Sequence, residues 1–169
     1  MKRHPGPAPA KRKPDMGVQG RLYQIGVVVR DIEAGMQHYR DMLGLGPFKR
    51  LDTDYHAWYR GRTVHVANAN AFARWGDLYL EMVAPGTGDS TAREWLEQRG
   101  EGIFHLGYIT DDMNQRPAGS EVCFHPLLDA APDAPSSILH LDTLQALGYF
   151  VELTTPELAT GLCRWIDEP

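Results

Sequence analysis

The chain has 169 residues, of which 43% are hydrophobic and 23% charged, and a formal net charge of −5. This length fits one domain or two small fused modules, and argues against a separate dinucleotide-binding domain. The composition is typical of soluble globular proteins. The sequence contains no run of about 18 apolar residues, which a membrane-spanning helix would need. Two cysteines, Cys123 and Cys163, are too few for a disulfide scaffold, so the expected location is the cytoplasm.

The first 20 residues differ from the rest in charge, since they hold five basic side chains and one acidic one. They contain no apolar stretch of about 7 to 15 residues, which a secretory signal needs. We expect residues 1–20 to form a disordered basic tail. The remainder is acidic, which argues against nucleic acid as the main partner, because phosphate binding needs a basic face.

The first half of the chain alternates apolar runs with turn signals. Residues 22–29 (LYQIGVVV) are predicted to form a buried strand, and a helix follows between Asp31 as its cap and Gly44 as its stop. Apolar residues recur in that helix at helical spacing: Ile32, Met36, Tyr39, Met42 and Leu43. Three strands are predicted next, near 48–53, 63–74 and 78–84. Thr91 and Glu94 then form a capping-box signature for a short helix that Gly100 closes.

A repeat is the most informative feature of the sequence. QIGVVVRD, starting at Gln24, aligns without a gap on HLGYITDD, starting at His105, and YLEMVAP around Glu81 aligns on FVELTTP around Glu152. The second unit is about ten residues shorter. Its segment 111–120 contains proline and glycine where the first unit has a helix, so we expect only a helical stub there.

The repeat predicts two βαβββ modules in an α+β fold. Module one is expected at 21–86, a linking helix at 90–100 and module two at 102–157, with strands near 121–125, 138–142 and 149–154. The segment 129–137 is expected to be a loop. Residues 158–169 are predicted to be a C-terminal helix or tail, and the helix would have an apolar side: Leu158, Leu162, Trp165 and Ile166.

Four polar residues occupy equivalent places in the first and last strands of the two modules: Gln24, Glu81, His105 and Glu152. A buried, unpaired carboxylate is costly, so two repeat-related glutamates need a shared partner. A divalent cation with one nitrogen and three oxygen ligands fits this set. Taken singly, each residue has a simpler explanation, as a core side chain bonded to backbone or as a residue on a solvent-facing sheet surface.

The chain resembles the vicinal-oxygen-chelate (VOC) superfamily, which contains glyoxalase I, methylmalonyl-CoA epimerase, extradiol dioxygenases and the bleomycin- and fosfomycin-resistance proteins. The resembling segments are QIGVVVRDIEAGMQHYRDMLGLGPF, YRG with AFARWGDLYLEMVAP, STAREWLEQRGEGIFHLGYITDD and LDTLQALGYFVELTTP. The resemblance implies a half-barrel of two modules around one metal ion (Zn, Ni, Co, Mn or Fe), with Gln24, Glu81, His105 and Glu152 as ligands. It also implies a homodimer, and leaves open whether the modules pair within a chain or across the dimer.

The resemblance implies an isomerase or lyase. The metal would polarise a carbonyl, and Glu152 or Glu81 would move an adjacent proton, as in an epimerase or a glyoxalase-type isomerase. Glyoxalase I is expected to hold the carboxylates of glutathione with arginines near its first and third ligands. Here those neighbourhoods offer Val28 and Glu101, which disfavours glutathione.

Methylmalonyl-CoA epimerases are expected to have a histidine where this chain has Gln24, and an additional acid on the third strand. The segment 63–74 contains no acid, which disfavours methylmalonyl-CoA itself. An extradiol dioxygenase is disfavoured, because its iron needs two histidines and a carboxylate.

The alternative is a small-molecule-binding or drug-sequestering protein without catalysis. Its pocket would be lined by the aromatic residues Tyr55, Trp58, Tyr59 and Trp75, which otherwise pack the sheet. The residues 60–62 (RGR) are expected to form a solvated turn, and Cys123 to be a small core residue. The remaining histidines show no ligand spacing and are expected at the surface or in the core: His56, His65, His125 and His140.

Overall fold

The structure is a computed structural model that describes residues 17–127 and 136–169. The described strands are β1 (Arg21–Val28), β2 (Lys49–Arg50), β3 (Thr53–Tyr59), β4 (Arg62–Trp75), β5 (Leu78–Thr87), β6 (Gly102–Ile109), β7 (Val122–Leu127), β8 (Ile138–Leu141) and β9 (Phe150–Thr154). The described helices are α1 (Ile32–Leu43), α2 (Thr91–Arg99), α3 (Leu144–Leu147) and α4 (Pro156–Asp167). None of these four helices is long and apolar enough to cross a bilayer.

The two modules of the α+β fold are built alike. In each, the first strand pairs in parallel with the last, β1 with β5 and β6 with β9. The two first strands, β1 and β6, then pair antiparallel with each other and join the modules. This arrangement confirms the predicted fold class, and it places the four repeat-related polar residues on four consecutive neighbouring strands, in the order β9, β6, β1 and β5.

The strands of the two modules close into a full circuit, whereas the resemblance implied a half-barrel. The strand order of the sheet is β2-β4-β3-β7-β8-β9-β6-β1-β5, and β4 also pairs with β5. The modules therefore meet at a second seam, where β3 pairs antiparallel with β7. The circuit of strand pairs is closed, so side chains from both modules point into one central space.

Helices α1 and α2 both begin at a residue whose side chain caps the first turn. The Asp31 side chain accepts a hydrogen bond from the Ala34 amide, and Gly44 adopts the left-handed conformation, at φ 66°, as predicted for α1. The prediction for α2 was wrong by one residue. Ser90 is the cap and accepts from the Arg93 amide, while Thr91 is the first helical residue. The Thr91 hydroxyl is engaged instead by His140.

Three other expectations about the chain path are corrected. The strand predicted at 48–53 is the two-residue β2, and the longer β3 lies at 53–59. No helical stub forms at 111–120, where the described chain makes only turns and bends. Val18, assigned to the tail, packs against the core cluster of Leu139 and Leu153. Residues 1–16 of the predicted tail and most of the predicted loop at 129–137 lie outside the described residues.

Helix α4, which begins directly after β9, and the first turn of α2 reach the central cavity, whereas α1 packs elsewhere on the sheet. Helix α1 packs on β1 and β5 through a core cluster that includes Val27, Met36 and Met82. Helix α4 buries Ala159 and Ile166, and its Leu158 and Leu162 line the central cavity. The predicted terminal helix is therefore present, and two of its predicted apolar residues face the site.

Candidate functional site

Gln24 and His105 lie on the two paired first strands, and each faces a glycine of the other strand. In the β1–β6 register, Gln24 is opposite Gly107 and His105 is opposite Gly26. Both side chains are buried, and His105 Nε2 lies 3.1 Å from Gln24 Oε1. The glycines leave the space that the two side chains occupy, because a Cβ at Gly26 would lie 2.2 Å from the His105 ring, and one at Gly107 3.0 Å from Gln24.

Glu81 and Glu152 come from the last strand of each module and reach the same imidazole. His105 Nε2 lies 3.5 Å from Glu81 Oε2 and 3.6 Å from Glu152 Oε2. Glu81 is next to Gly26 in the β1–β5 register, and Glu152 is next to Gly107 in the β6–β9 register. The structure thus brings the four predicted residues together within one chain.

His140 is a member of the cluster that the sequence prediction placed elsewhere. It lies directly opposite Glu152 in the antiparallel β8–β9 pair, where facing residues share one side of the sheet. Its Nε2 is 3.2 Å from Glu152 Oε2 and its Nδ1 is 2.7 Å from Thr91 Oγ1. In the sequence, the feature that could have identified His140 is its position on the strand before that of Glu152. Its spacing to other histidines gives no such indication.

The two glutamates are held very differently. Glu152 is buried and accepts hydrogen bonds from the hydroxyls of Tyr23 at 3.3 Å and Thr154 at 2.9 Å, besides facing His140. The Glu81 side chain is 18% exposed, and among the described residues its carboxylate has only His105 within ion-pair distance. Three neighbouring side chains therefore hold the Glu152 carboxylate, whereas no hydrogen bond from the described residues holds that of Glu81.

The protonation states of the cluster follow from burial and proximity. Burial lowers the pKa of His105 to about 4, against the opposing effect of Glu152. Burial raises the pKa of Glu81 well above its ordinary value, and the charge of Glu152 raises it further. Burial also raises the pKa of Glu152, but His105, His140 and the Thr154 hydroxyl outweigh it, so this pKa lies below its ordinary value. At neutral pH His105 is neutral, Glu152 is charged, and Glu81 holds a proton more readily.

The donor set fits a divalent cation. Ligand atoms of His105, His140 and Glu152 all lie within 4.8 Å of one another, and Gln24 and Glu81 add two more oxygen donors around His105 Nε2. A cation between the carboxylates would remove the repulsion that raises the pKa of Glu81. Mixed imidazole and carboxylate donors suit zinc and the other first-row ions, so this buried cluster could bind such a metal.

The cluster lines a cavity of about 330 Å³, a volume at the lower end of small-molecule sites. Polar side chains from β3 and β4 line one wall, and apolar side chains line much of the remainder: Leu51, Phe72, Val83, Ala92, Phe104, Phe124, Ile138, Leu158 and Leu162. The cavity therefore combines a polar centre with apolar walls and is partly covered by α4.

Of the four aromatic residues predicted to line a pocket, only Tyr55 lines this cavity. Trp58 lies on the other face of β3 and stacks on His125 at 5.6 Å between ring centroids. The Tyr59 hydroxyl donates to Glu94 at 2.8 Å, outside the cavity. Trp75, at the end of β4, lines a separate groove beside α1. The predicted aromatic pocket is therefore corrected to one residue, Tyr55.

The RGR segment forms the predicted turn, and its arginines are paired. Arg60 makes two hydrogen bonds to the carboxylate of Glu94, both 2.9 Å long, and one of 2.7 Å to Asp142. Arg62 pairs with Asp89. Neither arginine lines the central cavity. Cys123 is buried, as predicted, and burial raises the pKa of its thiol to about 12.

Comparison with known proteins agrees with this architecture. A sequence model of the Glyoxalase/Bleomycin resistance protein/Dioxygenase superfamily matches residues 23–123. The chain is 26% identical over 141 residues to the uncharacterized protein YqjC of Bacillus subtilis (strain 168), which covers 81% of this chain and 93% of the relative.

Solved structures of epimerases are similar in fold. A methylmalonyl-CoA epimerase in complex with methylmalonyl-CoA and ammonium matches with a TM-score of 0.51 and 26% identity, covering 80% of this chain and 94% of that chain. A variant of the Streptomyces coelicolor methylmalonyl-CoA epimerase in complex with 2-nitronate-propionyl-CoA matches with a TM-score of 0.51 and 25% identity, at the same coverage. The chain thus belongs to the glyoxalase/bleomycin resistance protein/dioxygenase superfamily, the VOC superfamily that its repeat resembles.

Proposed function

We propose that the protein is a divalent-metal-dependent enzyme that transfers a proton at the carbon next to a carbonyl, as an epimerase or a glyoxalase-type isomerase does. The observation that carries this proposal is the unequal setting of the two glutamates. Glu152 is fixed by three neighbouring side chains, whereas Glu81 faces the cavity with a raised pKa. One carboxylate suits a structural role at the cluster, and the other suits a proton carrier.

The metal would be held by Gln24, Glu81, His105 and Glu152, with His140 either joining them or orienting Glu152. When bound, a divalent ion supplies Lewis-acid polarisation of the substrate carbonyl and stabilises negative charge on its oxygen. Zinc, nickel, cobalt, manganese and iron all accept imidazole and carboxylate ligands, so each of these ions fits the cluster.

Glu81 is the group that we assign to proton transfer. Burial beside Glu152 raises the pKa of Glu81 in the metal-free protein, but the assignment rests on position: Glu81 lines the cavity and is the less buried of the two glutamates. Glu81 would take the proton from the substrate carbon next to the carbonyl. An epimerase then needs a proton delivered to the opposite face of that carbon, and a glyoxalase-type isomerase needs one delivered to the neighbouring carbon. Glu152 contributes by holding its charge in place beside His105 and His140.

The structure of the cavity supports a small acyl group or small carbonyl compound at the reacting centre. Apolar walls and the side chains of Leu158 and Leu162 shield the cluster from bulk water, which strengthens the electrostatic interactions within it. The similar epimerase structures are complexes with methylmalonyl-CoA and 2-nitronate-propionyl-CoA, and this favours an acyl-CoA among the carbonyl substrates. Gln24 distinguishes the cluster from the pattern expected of methylmalonyl-CoA epimerases, which weighs against methylmalonyl-CoA itself.

The test is deuterium exchange at the carbon next to the carbonyl, followed by proton NMR in D₂O with a panel of small ketones, aldehydes and thioesters. We expect metal-dependent exchange in at least one of them, and its loss in Glu81→Gln. Glu97→Gln is the matched control, because Glu97 is exposed on α2. Binding without exchange across the panel would contradict catalysis and favour the small-molecule-binding alternative.

A further inference from the structure

We infer that Thr91 is a positioning residue for the metal-binding cluster: its hydroxyl donates to Nδ1 of His140 and so keeps on Nε2 the proton that His140 donates to Glu152. It follows that His140 orients a ligand and does not bind the metal itself. This consequence rests on the proposed function, because it concerns the metal. The hydrogen bonds of Thr91 and His140 belong to the metal-free protein and can be tested there.

The contacts form a chain from the start of α2 to the last strand of module two. The Thr91 hydroxyl oxygen lies 2.7 Å from His140 Nδ1, and His140 Nε2 lies 3.2 Å from Glu152 Oε2. All three residues are buried. Buried polar atoms nearly always have a hydrogen-bond partner, so each contact should have one donor and one acceptor.

The direction of the first hydrogen bond follows from the number of donors and acceptors. Among the described residues, the Thr91 hydroxyl has His140 as its sole hydrogen-bond partner. If Thr91 accepted a proton from Nδ1, its own proton would have no acceptor, and the lone pair of Nε2 would face the charged Glu152 carboxylate. If Thr91 donates, both nitrogens of a neutral imidazole are satisfied. The surroundings therefore favour the tautomer with its proton on Nε2.

Aromatic packing holds the imidazole in this orientation. The His140 ring packs against the rings of Phe104, Phe124 and Phe150, at centroid distances of 6.2, 5.4 and 6.3 Å. Thr91 is the first residue of α2, directly after the capping residue Ser90, so its hydroxyl comes from a defined helix end. Side chains locked in this way by packing and hydrogen bonds hold a site in its working geometry.

The same donor completes the hydrogen bonds of the Glu152 carboxylate. Its Oε1 accepts from the hydroxyls of Tyr23 and Thr154, and its Oε2 accepts from His140. Oε2 is also the oxygen that lies 3.6 Å from His105 Nε2. The oxygen that approaches His105 is thus the one that His140 holds, which suits His140 to orienting a ligand.

The tautomer decides the role of His140 toward a metal. A nitrogen that carries a proton has no lone pair for a metal ion, so His140 cannot bind one through Nε2 in this state. The donors that remain are the His105 imidazole and the side-chain oxygens of Gln24, Glu81 and Glu152. Residues that orient a metal ligand typically contribute about 10- to 100-fold to metal affinity.

The experiment determines the tautomer directly, by long-range ¹H–¹⁵N correlation NMR on protein with ¹⁵N-labelled histidine. Spectra are recorded at pH 8 in EDTA and again with zinc, and comparison with His140→Gln and His105→Gln assigns the signals of each ring. Without metal, we expect His140 to have a proton on Nε2 and none on Nδ1. Zinc should shift a nitrogen of His105 as it becomes a ligand, and should leave the proton on His140 Nε2.

Thr91→Val removes the hydroxyl at nearly the same side-chain size. It should change the ¹⁵N shift of His140 Nδ1 and weaken zinc binding by at least about tenfold, measured by competition with a chelator. Thr91→Ser keeps a hydroxyl and should restore both properties. Thr63→Val, at an exposed position on β4, is the matched control and should keep the native spectrum and affinity.

A proton on Nδ1 of His140 in the native protein, or loss of the Nε2 proton when zinc binds, would overturn the inference. A native spectrum and native zinc affinity in Thr91→Val would also overturn it. The native spectra remain decisive even if a variant fails to fold. A native protein that binds no zinc or other divalent ion would contradict the proposed function, while its metal-free spectrum would still support or overturn the hydrogen bonds of Thr91 and His140.

Discussion

The imidazole of His105 lies against Gly26, so that a Cβ at position 26 would be 2.2 Å from its Cε1 atom. The first strand of module one therefore contributes twice to the site, through the Gln24 side chain and through the missing side chain at Gly26. Gly107 has the equivalent relation to Gln24 and Glu152 in module two. The repeat thus preserves a pair of polar residues together with the space they need.

Gly26→Ala should displace the His105 ring and abolish metal binding while the chain stays folded. The added methyl group would overlap the buried His105 ring, so the ring has to leave its position among the ligands, at a cost of about 1–3 kcal/mol in folding stability. Metal content and thermal unfolding of the purified variant test this. Gly161→Ala in α4 is the control, since a Cβ there meets no atom within 4 Å. Native metal content in Gly26→Ala would show that the ring is not held where the structure has it.

His140→Leu should weaken metal binding by about 10- to 100-fold, the usual effect of losing a residue that orients a ligand. The change removes the contacts of His140 with Glu152 and Thr91 at nearly the same side-chain volume. Competition with a chelator of known affinity measures the effect. His125→Leu, at a histidine stacked on Trp58 away from the cluster, should leave the affinity unchanged. An unchanged affinity in His140→Leu would restrict the site to the four repeat-related residues.

Glu81 should make the metal-free protein less stable as the pH rises. Its pKa is raised by burial and by Glu152, so the native state holds the proton more tightly than the unfolded state. Its contribution is therefore fully present below the unfolded pKa of about 4.5 and is lost as the pH rises toward the folded pKa. Urea unfolding in EDTA should find Glu81→Gln more stable than the native protein at pH 8, and nearly equal to it at pH 4.5.

With metal bound, we expect the native protein to be more stable than Glu81→Gln, because the substitution removes an anionic ligand. If the difference in free energy of unfolding between the metal-free native protein and Glu81→Gln were the same at pH 8 and at pH 4.5, the raised pKa of Glu81 would be contradicted.

Arg60→Ala should lower the free energy of unfolding by about 1 kcal/mol without changing metal content. Arg60 joins the β3–β4 turn to Glu94 on α2 and to Asp142 after β8, but it is partly exposed to solvent. Urea unfolding at low and high salt measures this, and the difference should shrink at high salt. A loss of metal in Arg60→Ala would mean that this ion-pair network also positions the cluster.

The repeat predicted the four central residues because each is a polar side chain at an equivalent place in an apolar strand. The sequence did not predict His140 as a member of the cluster, because its position opposite Glu152 depends on the register of β8 with β9. The sequence pattern alone does not define that register. The aromatic residues of β3 occur at both parities, as Tyr55 and Trp58 show. A step of one residue changes the face of a strand, so the pattern alone did not decide which of them enters the cavity.

The α+β fold class was predicted correctly, since a β-branched apolar run defines β1 and capping residues define α1. The second seam, β3 with β7, joins residues distant in sequence and has no signature in either strand alone. The homodimer stays a prediction, although the structure completes the cluster with side chains of one chain.

Metal content by plasma mass spectrometry tests the central claim most directly, on native protein and on His105→Gln and Glu152→Gln, with His125→Gln and Glu97→Gln as controls. We expect about one divalent ion per native or control chain and none in the two cluster variants. No bound ion in the native protein, even after incubation with zinc, nickel, cobalt, manganese or ferrous iron, would contradict this claim.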